Sequence, residues 1–318
     1  MVSVIIPVYN VENYIERCLH SLFRQTLEDV EYIFVDDCST DASASKIMEI
    51  LEFYPHRKKQ VRILSHEANL GVAAARTSGI KAATGDYIIH CDPDDYVELD
   101  MYETLYNRAA DTDADIIACY YWEEQQNRKE KDIICRKYSH TPQECLKNIY
   151  KKNCHCSRLW DKLIRRSLVI EHDIFPYEGY DYAEDLGCIV RIMHYATSLV
   201  IVEKPLYHYC RRDASITHNP KSLRIWNMRK ILMDKICDFL SCDAQYKITS
   251  HQIQFYAKME YRMAFFGKER EWFNMYRNSH KYILRYNDMP LKGRILWWIV
   301  LQNYTAFQMT RKLIPALR

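Results

Sequence analysis

The chain has 318 residues, enough to bury a large core as one domain with an extension or as two domains. Its 44 Lys and Arg nearly balance its 42 Asp and Glu, and the formal charge of +2 argues against a nucleic-acid-binding protein. The longest apolar run near the end, residues 295–301, is far shorter than the roughly 18 residues of a membrane-spanning helix.

The twelve cysteines are scattered along the chain. The opening residues, MVSVII, show neither the basic region nor the cleavage site of a secretory signal. We therefore expect a cytoplasmic protein with reduced thiols, often buried as small apolar side chains. Cys154, His155 and Cys156 are a weak zinc candidate, because no second ligand pair lies nearby.

Predicted strands and helices alternate over residues 1–120. The continuous apolar run Val2–Val8 predicts a strand buried on both faces. It is followed by a helix with Ile15, Cys18, Leu19, Leu22 and Phe23 on one face and by a strand at 32–35. Ser39 or Thr40 then caps a helix that carries Ile47, Ile50 and Leu51, and a strand follows at 61–64. Next come a helix over 72–83 closed by Gly85, a strand at 87–89, a helix over 99–109 and a strand at 116–119. Repeated βα units predict an α/β fold, with a mostly parallel central sheet flanked by helices.

Polar residues follow four of the predicted strands: Pro7–Asn10, Asp36–Asp37, Asn69–Gly71 and Asp92–Asp95. Ligands of such sheets bind at the carboxyl ends of the strands, so this edge is the predicted active site. Neither GxGxxG nor GxxxxGK[ST] occurs, which argues against dinucleotide-binding and P-loop proteins.

The acidic cluster of Asp92, Asp94 and Asp95 follows a buried strand. Like charges at such a place repel one another, and burial makes each costlier. A divalent cation, Mg²⁺ or Mn²⁺, would neutralise them and complete its shell with phosphate oxygens. The alternative is a polar surface turn, since Asp and Pro are common in turns.

Six segments, in this order, resemble the inverting nucleotide-sugar glycosyltransferases of family 2, which have the GT-A fold. They are VSVIIPVYN (2–10), VDDCSTD (35–41), NLGVAAAR (69–76), GDYIIHCDPDD (85–95), LWDKL (159–163) and AEDL (183–186); RDASIT (212–217) is similar to the closing segment of the family. Thr77 replaces the usual Asn and Cys38 a common Gly, but neither change removes a group that the mechanism needs. The processive-synthase motif QxxRW is absent, which argues against a polymer-extruding enzyme.

The resemblance implies a GT-A catalytic domain over residues 1–217, with a nucleotide-sugar-binding half (1–120) and an acceptor-side half (121–217). The remainder, residues 218–318, is predicted to be a helical C-terminal region. The implied reaction moves a sugar with inversion from a nucleotide diphosphate to a glycan or lipid-linked saccharide in surface polysaccharide synthesis. A UDP-sugar is favoured because uracil offers one imide donor, and a GDP donor stays open.

On the donor side, the resemblance implies that Asp37 accepts from the nucleobase imide and that Tyr9 stacks on the base. Pro7, Asn69 and Arg76 complete this set, with Arg76 reaching the nucleotide. The alternatives are an ordinary strand-end aromatic for Tyr9 and an exposed helix cation for Arg76. Asp36 is equally well explained as a cap of the following turn.

At the reacting centre, Asp94 is the predicted metal ligand, with Asp92 nearer the ribose and Asp95 oriented behind the metal or on the sugar. Asp185 is the predicted general base, because inversion needs a carboxylate to take the acceptor proton. Glu184 lies beside it. The alternative for this pair is stabilisation of a helix N-terminus by acidic residues.

On the acceptor side, Trp160 and Lys162 match the LWDKL motif, and Lys162 is predicted to neutralise an acidic acceptor or else to be solvated. His208, Arg211 and Arg212 are predicted to close over the leaving diphosphate. An exposed basic turn explains those three residues equally well.

Residues 289–318 contain five cations and no Asp or Glu, among aliphatic and aromatic residues. This pattern predicts a helix in the headgroup plane at the cytoplasmic face of a membrane. The alternative is packing onto the catalytic domain or onto a second subunit, as a homo-oligomer.

Two other functions are consistent with an α/β sheet of this kind. A nucleotidyltransferase would need a Gly-rich, basic phosphate loop, and residues 7–13 contain neither Gly nor Lys. A non-catalytic carbohydrate-binding relative would be indicated by loss of Asp94 or Asp185, and both are present.

Overall fold

The computed structural model describes residues 1–125, 132–134, 141–149, 156–211, 223–261, 268–286 and 289–311. The chain divides into two compact units. The first comprises Met1–Leu146 with His155–Ser215, and the second comprises Lys147–Cys154 with Ile216–Arg318.

The first four strands form the parallel part of the sheet of the first unit, in the order β3-β2-β1-β4. They are β1 (Val2–Val8), β2 (Val30–Asp36), β3 (Val61–Ser65) and β4 (Tyr87–His90), and the helices between them are α1 (Ile15–Phe23), α2 (Ser43–Leu51) and α3 (Val72–Ala82). Both β1 and β2 are buried along their whole length, as their continuous apolar sequences predict. One face of this sheet packs on α1, α2 and on α4 (Met101–Thr112) to form the core.

The rest of the sheet is mixed. Its strands are β5 (Tyr96–Val97), β6 (Ile116–Gln125), β7 (Asp132–Ile134), β8 (Lys162–Arg165) and β9 (Leu199–Arg211). The helices in this part of the chain are α5 (Pro142–Lys147), α6 (Arg166–Glu171) and α7 (Glu184–Tyr195). The order continues β4-β8-β6-β9-β5, and β8 runs antiparallel to both of its neighbours. The predicted strand at 116–119 therefore does not pair with β4, because β8 lies between them.

An irregularity in the pairing of β6 with β9 positions the end of β9. The register shifts on both sides of Tyr120, so that Cys119 pairs with Val202 but Tyr121 pairs with Tyr207. Beyond the shift, His208 pairs with Tyr96 of β5. The last residues of β9 thus lie beside the acidic cluster that precedes β5.

The predicted cap of α2 is wrong. Neither Ser39 nor Thr40 caps this helix, which begins at Ser43; the Ser43 N–H donates to Asp41 Oδ1 at 2.9 Å. Instead, Ser39 Oγ accepts from Asn10 N at 3.2 Å, and Thr40 N donates to Asn10 Oδ1 at 2.8 Å. These two residues therefore tie the loop after β2 to the loop after β1.

The predicted end of α3 is also wrong. The helix ends at Ala82, and its C-cap residue Ala83 is extended. Gly85 lies against Ser3 and the Met1 carbonyl, so it serves close packing rather than a left-handed cap.

The second unit contains α8 (Leu223–Ser241), α9 (Lys247–Tyr261), α10 (Glu269–Asn274), a 3-10 segment (Arg277–Arg285), α11 (Leu291–Val300) and α12 (Tyr304–Arg311). Its core comprises Phe255, Trp272, Phe273, Ile283, Tyr286, Val300, Leu301 and Phe307. Within the described residues, none of the helices has the length and apolar character needed to cross a bilayer. The ten cysteines in the described ranges form no disulfide bonds, while Cys154 and His155 of the zinc candidate lie outside those ranges.

Gly79 allows α3 to approach β1 closely, because a Cβ at this position would collide with Ile5 Cγ2. We expect Gly79→Ala to destabilise the first unit by about 1–3 kcal/mol through overpacking. In contrast, Gly293→Ala in α11 would meet only the flexible Met289 side chain, at 3.3 Å, and should stabilise by up to about 1 kcal/mol. Thermal unfolding of both variants checks the opposite signs, and equal shifts would contradict the packing argument.

Candidate active site

Asp37 holds the loop after β3 in place. Its side chain is buried, Oδ1 accepts from Leu70 N at 2.9 Å, and Oδ2 accepts from Gly71 N at 2.7 Å. His66 Nδ1 also donates to Oδ1 at 2.7 Å. Oδ2 keeps one lone pair for a further donor. The contact of Asp37 with a nucleobase stays a prediction.

The other predicted donor-side residues differ in exposure. Tyr9 is 46% exposed just beyond β1, with its ring available for stacking, and Asn69 is exposed. Pro7 is a buried residue of β1, opposite Val35. Asp36 Oδ1 accepts from Ser39 N at 3.1 Å, which is the turn-capping role left open by the sequence.

Asp181 makes a contact at the site that the sequence did not reveal. Its Oδ1 accepts from Ala73 N at 3.1 Å at the start of α3. Gly71, at φ +93°, lies directly beneath the Asp181 carboxylate, and a Cβ there would collide with both of its oxygens. The segment before the predicted base is therefore joined to the loop after β3. The only sequence sign of this contact is the glycine of NLG.

Asp92, Asp94 and Asp95 can each offer an oxygen such that the three atoms lie within 4.8 Å of one another. Asp95 is buried and held from β9, because its Oδ2 accepts from Tyr207 Oη and its Oδ1 from Cys210 N, both at 2.8 Å. Burial raises the pKa of Asp95 well above its ordinary value, and the neighbouring charge of Asp92 raises it further. Three converging hard oxygens suit Mg²⁺ or Mn²⁺, and such a cation would offset their repulsion.

Arg76 lies between this acidic cluster and the predicted base. Its Nη2 donates to Asp92 Oδ1 at 2.9 Å and lies 3.6 Å from Asp185 Oδ1, while Nε lies 3.4 Å from Glu184 Oε1. At 3% exposed, it is not the exposed helix cation that the sequence left open. Its Nη1 finds no hydrogen-bond partner in the described part of the chain. A buried donor of this kind is suited to a substrate oxygen. The contact of Arg76 with the nucleotide stays a prediction.

The predicted base lies at the start of α7. Asp185 Oδ2 accepts from Leu159 N at 3.4 Å. Burial raises the pKa of Asp185 above its ordinary value, although the charge of Arg76 opposes the shift. Burial, together with the charge of Asp185, raises the pKa of Glu184 to about 8. A carboxylate with a raised pKa is a stronger base, which suits proton transfer near neutral pH.

The structure argues against the acceptor contacts predicted for Trp160 and Lys162. Trp160 is 2% exposed and stacks on Tyr207 at 4.2 Å between ring centroids. Lys162 is fully buried, and its Nζ donates to Asp161 Oδ1 at 2.5 Å and to the Arg158 carbonyl at 2.7 Å. Lys162 starts β8, an interior strand of the sheet, and Trp160 lies just before it, so both side chains point into protein rather than solvent.

The positive charge predicted near the diphosphate is also paired within the protein. His208 is 3% exposed, and its ring nitrogens lie 2.9 Å from Glu98 Oε1 and from Glu124 Oε1. Arg211 Nη1 lies 2.8 Å from Glu123 Oε1. His208 therefore lies in neither an exposed basic turn nor an open diphosphate site. Arg212 lies outside the described residues, as does the RDASIT segment that it begins.

The chain belongs to Glycosyl transferase family 2, whose model matches residues 3–172. It is 34% identical over 231 residues to the uncharacterized glycosyltransferase EpsJ of Bacillus subtilis (strain 168), and the match covers 69% of this chain and 64% of EpsJ. It is 31% identical over 279 residues to the cholesterol galactosyltransferase of Borreliella burgdorferi, covering 83% of this chain and 75% of that protein. The match to EpsJ thus spans less than two thirds of that relative.

The fold is similar to that of S. aureus TarS 1–349, solved in complex with UDP-GlcNAc. The TM-score is 0.68 at 19% identity, over 97% of this chain and 92% of TarS 1–349. The predicted α/β GT-A fold is therefore confirmed.

Glu184 makes folding pH-dependent. Because the pKa of Glu184 in the folded protein is raised from 4.5 to about 8, the folded state holds this proton more tightly than the unfolded state does. The associated stability is present at low pH and is lost as the pH rises toward 8. We expect Glu184→Gln to be more stable than the wild type by at least about 1 kcal/mol at pH 9, and by clearly less at pH 5.

Urea unfolding at several pH values, with EDTA in both samples, measures this difference. A difference that does not change with pH would contradict the raised pKa of Glu184.

Proposed function

We propose that this protein is an inverting, metal-dependent glycosyltransferase that moves a hexosyl or N-acetylhexosaminyl group from a UDP-sugar to a glycan or lipid-linked saccharide, in surface polysaccharide biosynthesis. The observation that carries the proposal is the ion-pair network in which Arg76 joins Asp92, on the metal side, to Asp185, on the base side. The two groups that a single displacement requires are therefore close together in one site. A solved structure of similar fold holds UDP-GlcNAc, and one relative is named for galactosyl transfer to a sterol.

On the donor side, Tyr9 offers an exposed ring beyond β1, and Asp37 lies on the loop beside it, with one lone pair left on Oδ2. A flat aromatic face and a single carboxylate acceptor suit uracil, which has one imide donor. This pairing favours UDP over GDP. Arg76 Nη1 would contact a donor oxygen from within the site.

Asp94, with Asp92 and Asp95 beside it, would hold Mn²⁺ or Mg²⁺. The cation, when bound, neutralises the charge that builds up on the departing diphosphate. Tyr207 and Cys210 fix the orientation of Asp95, so these carboxylates would bind with little rearrangement.

Asp185 would remove the proton of the acceptor hydroxyl as that oxygen attacks the anomeric carbon. It is distinct from the metal-side carboxylates, so its lone pairs are available. Arg76 would stabilise the ionised Asp185 before the transfer and keep this carboxylate apart from Asp92.

We also propose that the enzyme acts at the cytoplasmic face of a membrane, where a lipid-linked acceptor would lie. Part of residues 289–318 packs within the second unit itself, because Val300, Leu301 and Phe307 are core residues of that unit. Self-association through the C-terminal helices is the competing explanation for the apolar side chains that remain exposed.

Family membership favours transfer of a sugar over transfer of a nucleotidyl group, and the intact acidic residues favour an enzyme over a binding protein. A thermal-shift panel of UDP, GDP, CMP and ATP, with and without Mn²⁺, separates these functions. Mn²⁺-dependent stabilisation by one diphosphate is expected of the transferase. Stabilisation by ATP alone would support the nucleotidyltransferase instead.

Asp94→Ala is expected to reduce turnover of the donor by about 100-fold or more, the size of effect seen when one key electrostatic group is removed. Asp111→Ala, an exposed acidic residue of α4, is the matched control and should leave turnover unchanged. Donor hydrolysis assays with Mn²⁺ and with EDTA measure both effects. Full wild-type activity in excess EDTA would exclude a metal-dependent reaction.

Asp185→Asn is expected to abolish transfer nearly completely while UDP binds almost as before. The base acts on the acceptor proton, so its loss raises the barrier without removing a donor contact. Calorimetric titration of UDP alongside the transfer assay gives the two readouts. If UDP binding is lost together with transfer, Asp185 is a donor-binding residue.

A further inference from the structure

Helix α11 presents apolar side chains on two faces. Leu296 and Trp297 pack against the core of the second unit, to which Val300 belongs. The other face is exposed and consists of Leu291 (59% exposed), Ile295 (43%), Trp298 (38%) and Ile299 (49%). Their spacing of four, three and one residues places them in a single stripe. We call these four residues the outer stripe of α11.

A basic cavity adjoins the outer stripe. Its volume is about 580 Å³, and it is lined by Arg277, Asn278, His280, Lys281, Trp298, Leu301 and Gln302. Trp298 belongs to both the cavity and the stripe, so the two form one continuous surface. Among the described residues that line the cavity there is no carboxylate. Arg277 and Lys281 are exposed, and both can turn toward an anion.

A buried amine lies behind the wall of the cavity. Lys258 Nζ donates to the carbonyls of Phe273 (2.6 Å) and Met275 (3.0 Å), and to His280 Nε2 at 2.8 Å. Behind His280 there is therefore a further amine, with no exposure to solvent. Because burial lowers the pKa of Lys258 to about 7, this amine carries only part of a positive charge at neutral pH. The cations that attract an anion at the cavity are therefore Arg277 and Lys281.

The surrounding sequence is predominantly basic. From residue 277 to residue 311 there are six Lys and Arg and one acidic residue, Asp288, which lies outside the described residues. In a two-fold dimer the same patch would face itself, and these cations would repel one another. An anionic surface is the complementary partner for a basic patch of this kind.

We propose that the outer stripe of α11 and the adjoining basic cavity form a docking site for an anionic lipid bilayer. The stripe lies in the boundary between headgroups and acyl chains, and Arg277 and Lys281 bind a lipid phosphate at the cavity. Each cation near such a surface contributes about 1 kcal/mol, in addition to the burial of the apolar stripe. This inference rests on the proposed membrane location, but not on the chemistry of the active site.

The test is sedimentation of the full chain with vesicles of phosphatidylcholine alone and with vesicles that also contain phosphatidylglycerol. The wild type should pellet with the anionic vesicles and not with the neutral ones. Arg277→Glu/Lys281→Glu should weaken binding by at least about tenfold, because each reversal removes one attraction and adds one repulsion. Ile295→Glu/Ile299→Glu should weaken vesicle binding to a similar extent, because charged side chains in the outer stripe oppose its insertion between headgroups and acyl chains.

Matched controls lie on the first unit. Lys59→Glu/Arg108→Glu makes the same change in net charge at exposed positions, and Met48→Glu/Phe53→Glu makes the same apolar-to-acidic change. Both controls should pellet far better than the corresponding test variants. Far-UV circular dichroism checks folding, and Ile295→Ser/Ile299→Ser replaces the stripe variant if the glutamates unfold the second unit.

If Lys59→Glu/Arg108→Glu weakens binding as much as Arg277→Glu/Lys281→Glu, the attraction is general and the cavity is not a docking site. If the wild type stays in the supernatant with both kinds of vesicle, the proposed membrane-docking site is wrong. A dimer in light scattering that the stripe variants convert to monomers, without vesicle binding, would assign the stripe to a second copy. Donor hydrolysis should be unchanged in all these variants, so failure of the proposed chemistry would be seen separately.

Discussion

The buried guanidinium of Arg76 is the interaction on which the candidate active site depends. It contacts carboxylates from two distant parts of the sequence, Asp92 after β4 and the Glu184–Asp185 pair at the start of α7. Without a cation among them, three acidic side chains would share a site with little water, and each would favour its protonated form. Removal of the arginine from a buried ion network of this kind costs about 3–5 kcal/mol, because the carboxylates then stay uncompensated. The arginine therefore makes ionised carboxylates compatible with burial.

Three polar contacts run between the loops around Arg76. Asp37 fixes the loop after β3, Asn10 joins the loops after β1 and β2, and Asp181 seals the start of α3. In each case a side chain from one loop accepts from the backbone of another, so no loop is ordered by its own sequence alone. These contacts between loops keep Tyr9 and the acidic cluster at fixed positions relative to β1 and β4.

The sequence predicted the strands of the parallel half of the sheet and the polar residues at their carboxyl ends, because apolar runs and their termini are local features. It also predicted the acidic cluster and the base candidate, through motifs whose residues are contiguous. What it missed depends on long-range pairing. Nothing in LWDKL shows that β8 would run antiparallel between β4 and β6 and bury Lys162. Likewise, no periodicity places Glu98 and Glu124 on the two nitrogens of His208, since the three residues come from separate segments.

The contacts that β9 makes with Asp95 have a consequence for how this molecule can be divided. The strands that would bind the nucleotide end before residue 100, yet the orientation of Asp95 comes from Tyr207 and Cys210, more than 100 positions further along the chain. An isolated nucleotide-binding half would retain its parallel strands and its rim of loops but would lack the hydroxyl and the amide that aim this carboxylate. The first unit is thus a single piece, in which the orientation of Asp95 depends on the last strand having joined the sheet.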